Sequence, residues 1–282
     1  MYTVDELEDR LIDLAFAEDI GDGDHTTLCC IPADAMGKSH LLIKEDGILA
    51  GVEVAKKVFS RFDDTMQVEV LIGDGAHVKK GDIAMVVTGK VRSLLQTERL
   101  MLNIMQRMSG IATMTSKYVE LLKGTGTHVL DTRKTTPGMR MLEKQAVKIG
   151  GGMNHRIGLF DMILLKDNHV DFAGGIDNAI DRCHEYLEKN KLNLKIEIEV
   201  RNFDELNQVL SHGGVNRIML DNFSVEDTKK AVELIAKRYE TESSGGITFD
   251  TIRSYAECGV DFISVGALTH SVKGLDMSFK AC

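Results

Sequence analysis

The chain has 282 residues, 43% of them hydrophobic and 27% charged, with a formal net charge of −9. A chain of this length buries a full core and has room for one barrel-sized domain plus a smaller one. Its acidic balance argues against nucleic acid as a partner, no apolar run approaches the roughly 20 residues of a membrane span, and the acidic start MYTVDELEDR does not read as a secretory signal.

At the N-terminus, Thr3 and Glu6 form a capping box, and Leu7, Leu11 and Leu14 follow at helical spacing. EDIGDGDHTT reads as a structural turn. Asp22 and Asp24 alternate as at the start of a calcium loop, but the later ligands and the closing Glu are missing. Cys29 and Cys30 belong to a set of five cysteines without C-x-x-C spacing, which predicts reduced thiols and a cytoplasmic protein. β patterns follow in HLLIKEDGILAG and MQVEVLIGDGAHVKKGDIAMVVTG. The second resembles a biotinyl or lipoyl carrier hairpin, yet no Lys occupies the tip in an MKM or DKA context, so a sheet scaffold is expected. Residues 94–122 form the longest helical stretch, with a break expected near Ser109 and Gly110. It carries Arg99 and Arg107 among many Met and Leu core residues.

From residue 128, short apolar or β-branched runs alternate with amphipathic helical stretches: HVLDTRK, MILLKDNH, KIEIEV, RIMLDNF, YETESSGG and DFISVGALTH. Such alternation implies a parallel sheet with right-handed crossovers. Nearly every strand pattern ends in polar or small residues: Arg133 and Lys134, Lys166, Glu199, Asp221, Ser244, Gly266. Six used strand ends favour an α/β barrel, whose chemistry gathers on one rim, over an open sheet with one switch point. The expected division is a small N-terminal α/β sandwich domain over 1–108, a barrel over 109–270, and a tail, 271–282, returning to the first domain.

The segment 131–169 holds seven Lys or Arg against four acids, a reversal of sign in an acidic chain. Clustered cations focus a positive potential on an anionic ligand. Arginine grips carboxylates with two parallel hydrogen bonds and lysine meets phosphate as a point charge, so Arg133, Lys134, Arg156 and Lys166 point to a ligand with both groups. Glu199 and Asp221, opposite these cations, suit either a magnesium ion or sugar hydroxyls, and Glu197 shares the face of Glu199. ESSGG and VGALTH leave backbone N–H groups free to approach a phosphate. His155 sits beside Arg156 after a glycine triplet. With no Ser–His–Asp order, HExxH or Walker loop, the residues suit group transfer by positioning and electrostatics.

TERLMLNIMQRMSGIAT, DTRKTTPGMRMLEKQAV, GGGMNHRIGLFDMILLKDNH, LDNF, ESSGG and VGALTHS together resemble the quinolinate phosphoribosyltransferase family, as do AEDIGDGDHTT and EDGILAG. The resemblance implies a TIM-like, incomplete α/β barrel with an N-terminal sandwich, magnesium, and a homodimer with a shared active site that can assemble further. It implies transfer of phosphoribose from 5-phosphoribosyl 1-pyrophosphate to quinolinate with loss of CO2. By position, Arg99 from the neighbouring subunit, Arg133, His155 and Arg156 would hold the quinolinate carboxylates. Lys134 and Lys166 would meet pyrophosphate and phosphate, Glu199 and Asp221 the magnesium and ribose hydroxyls, and Ser244, Gly245 and Gly266 the 5′-phosphate, with His270 close by. Gln145 stands where an aromatic is expected, and Met139, Met141 and Met162 replace other apolar residues. The alternatives are a paralogue acting on another base, of the kind found at molybdenum-transport loci, and a non-catalytic phospho-ligand binder.

Overall fold

The computed structural model describes residues 2–282. In chain order the elements are α1 (Val4–Ile20), α2 (His25–Cys30), β1 (Met36–Ile43), β2 (Gly47–Ile48), α3 (Val52–Phe62), β3 (Gln67–Val70), β4 (His77–Val78), β5 (Ile83–Lys90) and α4 (Val91–Leu122). There follow β6 (His128–Leu130), α5 (Arg140–Ile149), β7 (Ile163–Leu165), α6 (Asp167–Ala173), α7 (Ile176–Asn190), β8 (Ile196–Val200) and α8 (Phe203–His212). The last are β9 (Arg217–Asp221), α9 (Val225–Ile235), β10 (Glu240–Ser244), α10 (Ile252–Ala256), β11 (Phe262–Ser264), α11 (Ala267–His270) and β12 (Met277–Ala281). They fall into two compact units. One comprises the chain through Ser116 with Lys134–Gly151 and Ala267–Cys282; the other comprises Lys117–Arg133 and Gly152–Gly266.

The first unit is built on a four-stranded antiparallel sheet in the order β12-β1-β5-β3, so the C-terminal strand forms one edge of it. The expected capping box opens α1: Glu6 N donates to Thr3 Oγ1 at 3.2 Å and Thr3 N to Glu6 Oε2 at 2.7 Å. The segment read as a turn differs in one respect. Asp24 Oδ1 accepts Thr27 N at 3.0 Å and so starts the short helix α2.

The break expected in the long helix does not occur; α4 runs through 32 residues. Ser109 and Gly110 serve packing instead. Ser109 Oγ accepts Ala50 N at 2.8 Å and donates to Ala50 O at 3.1 Å, and a Cβ on Gly110 would strike the Lys273 carbonyl oxygen. A helix tolerates one glycine when close backbone approach compensates its propensity loss of about 1 kcal/mol.

The second unit holds six parallel strands in the order β6-β11-β10-β9-β8-β7. Because β6 and β7 end the order rather than pairing, the barrel is incomplete, as the sequence implied. Alternation along the strands separates two faces. Ile196, Ile198, Val200, Ile218 and Leu220 pack outward with Ile180, Leu206, Val209, Ala231 and Ile235 from α7, α8 and α9. The other face, lining the barrel, carries Glu197 and Glu199 on β8, Arg217 and Asp221 on β9, and Glu240 and Glu242 on β10. Barrel interiors are ordinarily filled by branched apolar residues. Here three neighbouring strands fill theirs with charge.

Candidate active site

In the second unit the expected residues fall at the C-terminal ends of the parallel strands. Lys166 follows β7 directly, Glu199 lies one residue from the end of β8, Asp221 and Ser244 close β9 and β10, and Gly266 lies two residues past β11. Arg133 departs from expectation. With Lys134 it was read as ending the first strand, but β6 stops at Leu130 and both residues are exposed in the irregular segment that follows. Strand alternation does not constrain them there.

Lys166 Nζ lies 2.6 Å from Glu199 Oε2, and Glu199 is only 8% exposed. A cation and an acid from neighbouring strands are thus already paired. Asp221 Oδ2 accepts Asn222 Nδ2 at 2.8 Å, and Asn222 N reaches across to Ser244 O at 2.8 Å. This corner demands Gly245. Its φ of +94° lies in the left-handed region, and a Cβ there would strike the Asn222 side-chain oxygen. The chain therefore bends sharply between Ser244 and Gly246, with its backbone held against Asn222.

Arg156 is half-buried. Burial, and next the like charge of Arg133, hold its guanidinium below the ordinary value while Glu197 pulls the other way, and it remains charged. Two guanidinium groups that repel each other gain when a dianion comes between them. Arg156 donates to Met162 O at 3.3 Å, and Asp161 receives the backbone N–H groups of Ile157 and Gly158 at 2.8 and 2.9 Å, so the turn carrying Arg156 is well braced.

Beneath Arg156 lies a charged cluster that sequence reasoning placed only in part. His155 N donates to Asp131 Oδ1 at 2.9 Å, and Arg156 N donates to His155 Nδ1 at 2.7 Å. The other ring nitrogen, Nε2, lies 3.0 Å from Glu197 Oε2 and 3.5 Å from Glu242 Oε2. Both carboxyls are completely buried. Arg217 reaches Glu242 at 3.2 Å and Glu240 at 3.0 Å, and its guanidinium stacks 4.0 Å over the Phe262 ring. Burial raises the Glu242 carboxyl to about 8, with the charge of Glu197 adding to the rise, and burial raises Glu197 as well.

His155, Glu197 and Glu242 offer one nitrogen and two oxygens within 4.8 Å, a set that a divalent transition ion could use. Arg217 already supplies positive charge to that cluster. For magnesium, which prefers all-oxygen ligands, Glu199 and Asp221 are the better donors. Glu242 and Arg217 were missed as members of the site. The available signal was the charge at alternate positions of IEIEV and ETESS, which in a barrel strand puts acids on the inner face.

The first unit carries the remaining expected residues. Arg99 is exposed on α4, and His270, the last residue of α11, is exposed with Nδ1 2.6 Å from Ser271 Oγ. The segment starting at Lys134 is tied down: Thr269 Oγ1 donates to Lys134 O at 2.8 Å, and Thr136 N donates to Glu143 Oε2 at 3.2 Å. The other oxygen of the buried Glu143 receives Arg107 Nε at 3.0 Å and Nη2 at 2.9 Å, while Arg107 also donates to Thr269 O and to Val272 O. Arg107, read from the sequence only as a charge on the long helix, thus joins the segments bearing Lys134 and His270.

The N-terminal domain model of quinolinate phosphoribosyl transferase matches residues 24–109 of the chain, and the C-terminal domain model matches 111–280. The chain belongs to this family. It is 45% identical over 285 residues, 96% of the chain and 81% of the relative, to the tobacco (Nicotiana tabacum) protein named quinolinate phosphoribosyltransferase [decarboxylating] 1b. It is 39% identical over 269 residues, 95% of the chain and 91% of the relative, to a Bacillus subtilis protein named probable nicotinate-nucleotide pyrophosphorylase [carboxylating]. Among solved structures, the nicotinate-nucleotide pyrophosphorylase of Francisella tularensis superposes with a TM-score of 0.92 at 40% identity, over 100% of this chain and 98% of that one. The fold, an α/β barrel with a smaller antiparallel-sheet domain, is that of the family, and its named relatives are transferases.

Proposed function

We propose that this protein transfers phosphoribose from 5-phosphoribosyl 1-pyrophosphate to the ring nitrogen of quinolinate and releases CO2, yielding nicotinate mononucleotide and pyrophosphate for NAD biosynthesis. The observation that carries the reading is Arg133 beside Arg156. Two arginines are held close enough to repel, one of them against its own burial cost, in a chain of net charge −9. A vicinal dicarboxylate relieves that repulsion and fits two planar guanidinium groups. Arg99, supplied by a second copy in a homodimer, completes the grip.

Lys134 and Lys166 meet the donor's phosphate charge, and the small-residue corner of Ser244 and Gly245, with Gly266, lets backbone N–H groups approach the 5′-phosphate. Lys166 exchanges its partner Glu199 for the donor when the donor arrives. Glu199 and Asp221, an all-oxygen pair, would hold magnesium, which neutralises pyrophosphate charge. The same two residues accept the ribose hydroxyls and favour positive charge at the anomeric carbon as its bond to pyrophosphate lengthens. The pyridine nitrogen then bonds to that carbon, pyrophosphate leaves with the bonding pair, and the ring becomes cationic. Loss of CO2 from the adjacent ring carbon leaves an electron pair that the cationic nitrogen stabilises, and that carbon takes up a proton. Positioning of charged groups thus accounts for both steps.

No helix among the described residues is long and apolar enough to cross a membrane. All five cysteines are free thiols, which suits the cytoplasm, although a rice relative is named chloroplastic. The test is release of CO2 from carboxyl-labelled quinolinate with the pyrophosphate donor and magnesium. Ribosylation of another base without CO2 release would refute the reading, and so would donor binding without turnover.

A further inference from the structure

Three stretches of the first unit meet at one guanidinium. Arg107 projects from α4, and its Nε and Nη2 donate at 3.0 and 2.9 Å to Oε1 of Glu143, in the first turn of α5. Nη2 also donates to Thr269 O in α11, and Nη1 to Val272 O at 3.2 Å. Glu143 and Thr269 then each hold the chain at Lys134. Thr269 Oγ1 donates to Lys134 O at 2.8 Å, and the second oxygen of Glu143 receives Thr136 N at 3.2 Å. Both Glu143 and Thr269 are completely buried. Two arms thus leave Arg107 and close on residues 134–136.

We propose that Arg107, Glu143 and Thr269 are positioning residues for the pyrophosphate donor, and that they act by fixing the main chain from which Lys134 reaches the donor's phosphate charge. The inference rests on Lys134 being a donor-binding residue. The chain at 134–136 is neither helix nor strand, so its placement falls to side chains from elsewhere. A lysine meets phosphate as a point charge on a flexible stem, and a loose backbone beneath it adds to the freedom that binding must remove. The planar fork of arginine bonds one carboxylate and two carbonyls at once, which an ammonium in its place lacks the geometry to do. A buried ion pair commonly adds little net stability over apolar replacements, which leaves the geometry it fixes as its contribution.

Steady-state kinetics tests the assignment. Arg107→Lys and Thr269→Val should each raise the donor KM about fivefold or more, with the quinolinate KM within about twofold of wild type. Thr269→Ser keeps the hydroxyl and should keep the donor KM within about twofold of wild type. A mere loss of folded enzyme would lower the apparent kcat and leave both KM values alone. An unchanged donor KM in Arg107→Lys or Thr269→Val overturns the proposal. So do equal rises for both substrates, or a Thr269→Ser enzyme as impaired as Thr269→Val. The double variant Arg107→Lys/Thr269→Val should raise the donor KM by less than the product of the single effects, because both arms act on one stretch of backbone; the full product overturns it.

Hydrogen exchange reads the brace without any substrate. In Arg107→Lys, amides of 134–139 and of α11 should exchange faster together while the six-stranded sheet keeps its wild-type rates, and unchanged rates in either segment overturn the proposal. Should the wild-type enzyme ribosylate another base without releasing CO2, the same ranking of donor KM with that base would keep the brace while the quinolinate reading falls. A wild-type chain that turns over no base overturns both.

Discussion

Arg133 and Arg156 lie close enough, although 23 positions separate them, for the charge of Arg133 to add to burial in holding the Arg156 guanidinium below its ordinary value, and the proposed site sets a dianion against both. Arg133→Ala should therefore raise the quinolinate KM at least tenfold, a loss of about 1.5 kcal/mol or more, with the donor KM nearly unchanged in steady-state kinetics. Glu242 supplies a second expectation. Burial raises its folded-state pKa to about 8, above the ordinary value of an unfolded carboxyl, so folding takes up a proton between those limits. Stability from this group is complete below the unfolded pKa and is lost as pH rises through about 8. The slope across that window approaches 1.4 kcal/mol per pH unit for one proton. Urea unfolding from pH 5 to 9 should show the decline, and Glu242→Gln should flatten it.

At the scale of elements, the long helix and the loops it braces show why glycine and charge stand where they do. Gly110 lets the Lys273 backbone pass against α4, and both neighbours are backbone, so neither can yield cheaply. Gly110→Ala should lower the melting temperature by several degrees, the shift expected for about 2 kcal/mol in a protein of this size, and a Tm equal to wild type would show that the tail relaxes. Most elements were legible: the capping box, the long helix and six strand runs, because each is written in local periodicity. The break expected in α4 was misread since a glycine that serves a distant contact looks, in sequence, like a glycine that ends a helix. Arg133 and Lys134 were placed at a strand end for a similar reason. A strand of three residues, His128–Leu130, hands over to irregular chain with no change in composition to mark it.

At the scale of the whole molecule, the second copy expected to lend Arg99 makes activity a property of pairs. Mixing inactive Arg99→Ala and Lys166→Ala subunits should restore about a quarter of wild-type activity, because half the random dimers carry one intact site of two. No recovery after verified subunit exchange would place Arg99 in its own chain's site. The sequence by itself determined the charge of the ligand, the strand–helix alternation and the family, since these rest on residue identity and short-range spacing. Tertiary structure alone decided which acids face inward together. IEIEV and ETESS each show alternating charge, but only parallel pairing through β9 brings Glu197 and Glu242 to the same ring nitrogen of one imidazole. Strand register is a long-range property, and no local pattern in either segment encodes the partner it will face.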